Sequence, residues 1–347
     1  GAGFAGDNLN VTFDGIPATV EIAIDSRITV VVPDVGPGPR FLEVSNDDGI
    51  DSFNEVFTVL NNRPTQFLSS QVLNSSLIDG ASSVVAFDVD EDDDLDLVVG
   101  SITQSNITLL RNNGDNTYAS PEIITNQVGQ ALELAYGDIN NDGFTDLAAV
   151  SANTNNVVWL PNDQSGGFGA PEIISSTASS ARSVQLADFN RDGNLDVAFT
   201  AFNNDRIAWV EGEGDGSFGS QFLITQSIDQ PYQIVAADID LDGDIDLAST
   251  SVSSSTTFKV NWHRNDGFGN FTTNNLSSVP SQPYDVAVAD IDQNGFPDII
   301  SVDRLDGIID AFLNNGPSGF TTAVLADNLT DGQFILAEDL DGDGDVD

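Results

Sequence analysis

The sequence contains neither cysteine nor methionine in 347 residues. Without cysteine there are no disulfides, no thiolate metal sites and no cysteine nucleophile. Without methionine, Gly1 is not a translation start, and more chain is expected on both sides. Basic residues are nearly as scarce. Ten Lys plus Arg face 55 Asp plus Glu, for a net charge of −45. Nucleic acid and anionic membrane surfaces need clustered cations, so this balance excludes both as partners. Apolar runs reach only about six residues, whereas a spanning helix needs about twenty, so direct membrane insertion is excluded. Yet 40% of the residues are hydrophobic, too many for disorder. The acidity sits on a folded chain.

What is present is repetition. Acidic segments recur at 88–96, 138–146, 188–196, 238–246, 290–298 and 339–347, with first positions 50, 50, 50, 52 and 49 residues apart. Six copies at one period are not chance. A β-rich run enters each loop (83–87, 132–136, 184–187) and a second leaves it (97–99, 147–150). A third run follows a polar turn (107–110, 157–160, 207–210), and a Gly- and Asn-rich turn precedes a fourth (168–174, 218–224). Four short strands per repeat, with no helical periodicity, predict an all-β propeller of four-stranded blades. Five blades are complete and a sixth is partial.

The first sixty residues lack the acidic loop. Alternating runs at 11–13, 18–24, 28–32, 40–44 and 54–59, with turns such as Asp14-Gly15, predict a small immunoglobulin-like β-sandwich. The expected domains are therefore 1–60, N-terminally incomplete, and 61–347, a C-terminally incomplete propeller. Residues 65–73 read as a fourth, outer strand without the three before it. An open ring is expected from these residues alone.

The loop template is Asp-x-(Asp/Asn)-x-(Asp/Asn)-Gly-x-x-Asp. Positions 1, 3 and 5 put side-chain oxygens on one side of a tight turn, position 7 offers a carbonyl, and position 9 returns a carboxylate. The candidate metal ligands are Asp88, Asp90, Asp92, Asp94 and Asp96; Asp138, Asn140, Asp142, Phe144 and Asp146; and Asp188, Asn190, Asp192, Asn194 and Asp196. They continue with Asp238, Asp240, Asp242, Asp244 and Asp246; Asp290, Asp292, Asn294, Phe296 and Asp298; and Asp339, Asp341, Asp343, Asp345 and Asp347. All-oxygen sites of flexible geometry favour Ca²⁺ over Mg²⁺, one per loop, about five or six in all. Two carboxylates about 5 Å apart repel by about 3 kcal/mol at an effective dielectric near 20, so an empty loop is strained. Position 2 is always apolar (Val89, Ile139, Phe189, Ile239, Ile291, Leu340) and should pack inward. Asp93 replaces the usual glycine of the first loop, and the sixth ends at its own ninth position, so these two sites should be weakest.

These loops and strands resemble FG-GAP/VCBS repeats, the family that includes the calcium-loaded blades of integrin α-chain propellers and many secreted bacterial proteins. Phe168, Gly169, Ala170 and Pro171 keep part of the name-giving pattern, and the resemblance covers about residues 62–347. A seven-bladed parent, usual in that family, would need about 80 further residues. Residues 1–60 resemble a partial IPT/TIG domain through Gly3-Phe4, 11–20, 28–33 and 57–59. Together the resemblances imply a secreted or cell-surface protein built for adhesion or display, with flanking domains in the same polypeptide and a protein or glycan ligand.

Other chemistries have weaker support. The single histidine, His263, lies between Trp262 and Arg264 on an expected strand, without a nucleophile elbow, and reads as a strand-surface residue. Paired carboxylates for glycoside hydrolysis are available, but most are already assigned to calcium. Trp159, Trp209 and Trp262 occupy equivalent third-strand positions and read as inter-blade packing before a sugar platform. The run 211–216 is a hairpin turn without the lysine of a phosphate loop. Two functions stay open: a non-enzymatic calcium-stabilised adhesion or display module, or a carbohydrate-binding accessory propeller of a secreted enzyme whose catalytic domain lies elsewhere.

Overall fold

The computed structural model describes residues 10–13, 16–17, 19–24, 27–31, 38–46 and 49–59 as backbone, and 77–115, 117–253, 260–276, 282–340 and 346–347 in full. The chain divides into two units: Gly1–Ser70 with Asp339–Asp347, and Gln71–Glu338. In the first, the strands Ile16–Pro17, Asn10–Phe13, Gly38–Asn46 and Gly49–Val59 form one sheet in that order, and Thr19–Ile24 pairs with Arg27–Val31 in a second. The outer-strand expectation at 65–73 lies outside the described residues.

The second unit holds five four-stranded antiparallel sheets, each a meander built from one repeat. The first strands are Ala81–Phe87, Ala131–Gly137, Ala181–Ala187, Pro231–Ala237 and Pro283–Ala289. Each acidic loop leads into a second strand: Asp96–Ser101, Asp146–Ser151, Asp196–Ala201, Asp246–Ser251 and Asp298–Asp303. The third strands are Asn106–Leu110, Asn156–Leu160, Arg206–Gly212, Val260–Asn265 and Ile309–Asn314. The fourth are Glu122–Thr125, Glu172–Ser175, Phe218–Thr225, Phe271–Asn275 and Phe320–Ala326. These are propeller blades.

The core lies between neighbouring blades. Val150, Val157 and Trp159 of blade 2, for example, pack on Val184, Val197 and Phe199 of blade 3. A middle strand is covered on both faces, so every residue of the second strands of blades 2 to 5 is buried. That is why these strands read as continuous apolar runs and not as alternation. Val84 breaks the pattern. It is 60% exposed, whereas its counterparts Leu134, Val184, Ile234 and Val286 are buried. Among the described residues no blade covers Val84 on its face of blade 1.

A polar thread ties the first strands together. The residue five places before each loop accepts a backbone N–H from the next repeat. Leu134 N donates to Ser83 Oγ at 3.2 Å, Val184 N to Glu133 Oε2 at 3.1 Å and Ile234 N to Ser183 Oγ at 3.1 Å. Ile335 N donates to Asp285 Oδ2 at 2.9 Å, so the sixth repeat begins on the same thread. Gln233, at the same position, instead donates from Nε2 to Glu133 Oε1 at 2.8 Å.

His263 is not a surface residue. It is fully buried, with Nε2 at 2.8 Å from Ser249 Oγ and Nδ1 at 3.0 Å from Thr273 Oγ1. Alternation put it opposite Trp262 and therefore outside, but a blade between two others has no outside face. Burial depresses its pKa from 6.5 to about 3. Between those values the unfolded chain binds the extra proton, so stability falls as pH drops through that window. His263→Gln, which keeps hydrogen-bonding capacity but cannot titrate, should give a shallower loss of urea stability between pH 6.5 and 4 than wild type. An unchanged slope would contradict the buried neutral ring.

Candidate metal centres

Each loop is assembled by its own carboxylates. The position-1 carboxylate caps the turn by accepting the N–H groups of positions 5 and 6: Asp142 and Gly143 onto Asp138 at 3.0 and 2.9 Å, Asp192 and Gly193 onto Asp188 at 3.1 and 2.8 Å. Asp92 and Asp93 do the same on Asp88, and Asn294 and Gly295 on Asp290. The position-5 side chain accepts the N–H of position 7, as Phe144 on Asp142 and Asp244 on Asp242. Two backbone positions, not one, are left-handed. Position 6 carries φ near +90° in Gly143, Gly193, Gly243 and Gly295 and +69° in Asp93. Position 4 carries φ of +55° to +61° in Glu91, Asn141, Arg191, Leu241 and Gln293. The second bend escaped the sequence reading because side chains there are varied, and each costs about 1–2 kcal/mol of strain.

The position-9 aspartate is a pin. Asp96, Asp146, Asp196, Asp246 and Asp298 are almost completely buried. Oδ1 accepts a backbone N–H from the end of the third strand: Asn112, Asn162, Gly212, Asn265 and Asn314, at 2.7–2.9 Å. Oδ2 accepts the N–H of position 2 in four of them: Val89, Ile139, Phe189 and Ile291. In Asp246 it accepts Trp262 Nε1 at 2.9 Å. Leu340 N donates to Asp347 in the sixth copy too. Burial pushes Asp146 up to about 6, and Asp196 and Asp246 up to about 7, although their donors pull the other way. A dry carboxylate with pending charge is suited to a cation.

The candidate ligands fall into different arrangements. Asp88, Asp90 and Asp96 bring carboxylate oxygens within 4.8 Å of one another, as do Asp238, Asp240 and Asp242, and Asp290, Asp292 and Asp298. In loop 4, Asp238 Oδ1 and Asp240 Oδ1 are buried without a hydrogen-bond partner. Loops 2 and 3 carry Asn at position 3, and the Nδ2 of Asn140 and Asn190 donates to Asp142 and Asp192, each at 3.0 Å. Asn294 turns its Nδ2 to the Asn314 carbonyl at 2.9 Å. Arginines reach some of the carboxylates. Arg111 meets Asp90 at 2.6 Å, Arg264 meets Asp240 and Asp242 at 2.6 and 3.0 Å, and Arg191 pairs with Asp244. Asp92 and Asp94 stand outside the first cluster. Of the sixth set, Asp341, Asp343 and Asp345 lie outside the described residues.

Position 2 packs as expected in four loops, where Val89, Ile139, Phe189 and Ile239 are buried, while Ile291 is only partly buried. Leu340 does not, being 55% exposed with no strand packed over it among the described residues. Trp159 and Trp209 are buried between blades, and Trp209 Nε1 donates to the Gly269 carbonyl of the next blade at 3.2 Å. Of residues 211–216, Glu211 and Gly212 end the third strand of blade 3 and the rest lie in the hairpin that leads to its fourth.

Sequence reasoning missed the asparagine that closes each third strand. Asn162 Nδ2 donates to Thr145 O of its own loop and to Val89 O of the preceding loop, both at 3.2 Å. Asn265 bridges Ile245 O and Phe189 O at 3.0 and 2.8 Å, and Asn314 bridges Pro297 O and Ile239 O at 3.1 and 2.8 Å. One amide thus fastens two consecutive loops. Blade 3 has Gly212 instead. A Cβ there would run into the Leu195 carbonyl oxygen. An asparagine recurs at a fixed interval after the closing aspartate, as in Asp96 to Asn112, Asp146 to Asn162 and Asp298 to Asn314, and that was a readable signal.

The FG-GAP-like repeat family matches at residues 88–149, 138–199, 188–249 and 241–301. No curated protein sequence matches the chain. Among solved structures, one similar fold is a lectin of Agrocybe aegerita that recognises non-reducing terminal N-acetylglucosamine: 17% identity, 92% of this chain and 81% of that one, TM-score 0.55. Another is virginiamycin B lyase from Staphylococcus aureus: 14% identity, 73% and 72% covered, TM-score 0.49.

Asn265→Ala should cost about 2–4 kcal/mol, since two buried carbonyls lose their donor, and Gly212→Asn should destabilise despite completing the pattern. Urea melts check both, and a stabilising Gly212→Asn would refute the close approach to Leu195. Asp93→Gly relieves a left-handed aspartate and should be neutral or gain up to about 1 kcal/mol. Asp242→Ala should lower the melting temperature in Ca²⁺; the reverse order in thermal melts would mean the coordinating positions are misassigned.

Proposed function

The chain belongs to the FG-GAP-like repeat family, matched from residue 88 to residue 301, and on that premise we propose that it is a non-enzymatic, calcium-stabilised module for adhesion or display, extracellular or on a cell surface. The observation that carries this is loop 4. Three carboxylates converge within 4.8 Å, and two of their buried oxygens lack any donor. Oxygen-only ligands in that arrangement fit a hard dication. In this reading Ca²⁺ sits in five or six loops, held by positions 1, 3, 5 and 9 with the carbonyl of position 7. It neutralises charge that otherwise pushes the loop apart. The protein supplies the rest: the pin of position 9, the cap of position 1 and the asparagine between blades.

In the same reading, residues 1–60 are a partial IPT/TIG domain, 61–347 are the propeller, and both belong to a longer secreted polypeptide. The partner is a protein or glycan at the surface. No helix among the described residues is long and apolar enough to cross a membrane. The second reading, a carbohydrate-binding or accessory propeller of a secreted enzyme, draws on the lectin that shares the fold. A glycan array in Ca²⁺ separates the two.

Removal of calcium is the direct test. Each 1 kcal/mol moves the melting temperature of a domain this size by about 2–4 °C, and several strained loops should together lower it by more than about 10 °C in EDTA. Equal melting curves in EDTA and in millimolar Ca²⁺ would sink the proposal.

A further inference from the structure

A cavity of about 600 Å³ opens where the first strands begin, at the end opposite the acidic loops. That volume is in the range of small-molecule sites, about 300–1,000 Å³. Its walls have two characters. Leu132 and Phe334 supply apolar surface, while Glu133, Gln233, Arg182 and Tyr232 supply polar groups.

Arg182 stands apart from Arg111, Arg191, Arg264 and Arg304, which are each paired with aspartate. It also differs from Arg206, whose Nη2 donates to the Thr177 carbonyl and hydroxyl. Arg182 makes no ion pair among the described residues. Its guanidinium instead lies 4.7 Å from the Phe202 ring centroid and 5.2 Å from that of Tyr232, and its Nε is buried without a hydrogen-bond partner. Ring contacts fix its position without cancelling its charge. The nearby carboxyl, Glu133, does not serve as counter-ion: Oε1 accepts Gln233 Nε2 and Oε2 accepts Val184 N. Burial pushes Glu133 up to about 8, which disfavours its charged form. Asp285 is likewise spent on the N–H groups of Val286 and Ile335.

The cavity therefore presents a guanidinium with no ion-pair partner among the described residues, inside a chain of net charge −45. A guanidinium in that state selects a planar carboxylate, which it can grip with two hydrogen bonds. A single cation matches a monoanion; a phosphate dianion would leave excess negative charge in an already acidic molecule. Gln233 and Glu133 can exchange hydrogen bonds with hydroxyls, and Leu132 and Phe334 can cover the C–H face of a ring. We propose that this cavity is a binding site for a hexuronate, a monocarboxylate sugar either free or at the end of a glycan, anchored on Arg182.

The inference goes beyond the calcium reading and is independent of it, because no residue it uses belongs to a loop. The full chain in millimolar Ca²⁺ is titrated by calorimetry with glucuronate, with glucose as the ring without its acid, with acetate as the acid without its ring, and with a disaccharide ending in glucuronate. Glucuronate should bind while glucose and acetate do not. Arg182→Gln should weaken binding by about tenfold or more, as expected for loss of a charge-assisted pair. Phe334 is 78% exposed, so Phe334→Asp, which puts a negative charge at the lip, should fold normally and weaken binding too, whatever Arg182→Gln does to folding. Tighter binding of the disaccharide assigns the site to glycan ends, and equal binding to the free acid. No heat with glucuronate, equal binding of glucose or acetate, or indifference to both substitutions would overturn the proposal. Failure here leaves the EDTA melt untouched, and failure of that melt leaves this titration untouched.

Discussion

A carboxylate that cannot reach water dictates the form of each blade. In the first five loops the ninth residue is buried at the root of the second strand, and a buried carboxylate oxygen must find a donor or carry a large desolvation cost. It finds donors in two places that are distant in sequence: the start of its own loop and the end of the third strand. Satisfying one side chain therefore fixes three segments at once. The loop then has little freedom left, and the position-1 aspartate closes it by capping two further N–H groups. The arrangement of the candidate metal ligands is thus a by-product of hydrogen bonding, with oxygens held in place by their neighbours' backbones.

The same economy joins the blades. Hydrophobic contact between sheets is non-directional and would tolerate sliding. The asparagine at the end of a third strand does not, because its two amide hydrogens point to carbonyls of different loops. On the inner side, Ser83, Glu133 and Ser183 each hold the next first strand by one N–H. Register is therefore set at both ends of the interface while apolar side chains fill the middle. Blade 3 departs from this at Gly212, but like blade 4 it sets a hairpin glycine against the tryptophan of the preceding blade, Gly216 on Trp159 and Gly269 on Trp209, so close that a Cβ would touch the ring.

The fold was legible in the sequence because period, turn residues and run length are local. Five sheets stand where the acidic loops and apolar runs placed them. What escaped reading depended on neighbours. His263 follows strand alternation toward an outer face, and the next blade removes that face. The left-handed residue at position 4 is hidden because five different side chains accept it; the hydrogen bonds of the loop impose the conformation, not the residue type. Leu340 fits the position-2 pattern yet stays exposed, since pattern alone cannot supply the strand that would cover it. The candidate ligands were legible as residue types, but not which of them meet. Asn140 and Asn190 satisfy the template as oxygen donors, and their amides also bind the next aspartate.

Charge is distributed along the first strands with a definite sense. At their C-terminal ends, carboxylates gather and the arginines that approach them are neutralised. At their N-terminal ends, burial disfavours the charged form of Glu133, and the Arg182 guanidinium lies beside aromatic rings. A strand of seven residues spans about 23 Å, more than two Debye lengths at physiological salt, so the two ends are screened from each other through solvent. The candidate metal ligands and the Arg182 guanidinium therefore act on their surroundings separately: long-range charge dominates at the acidic end, and short-range contact and dehydration dominate at the other.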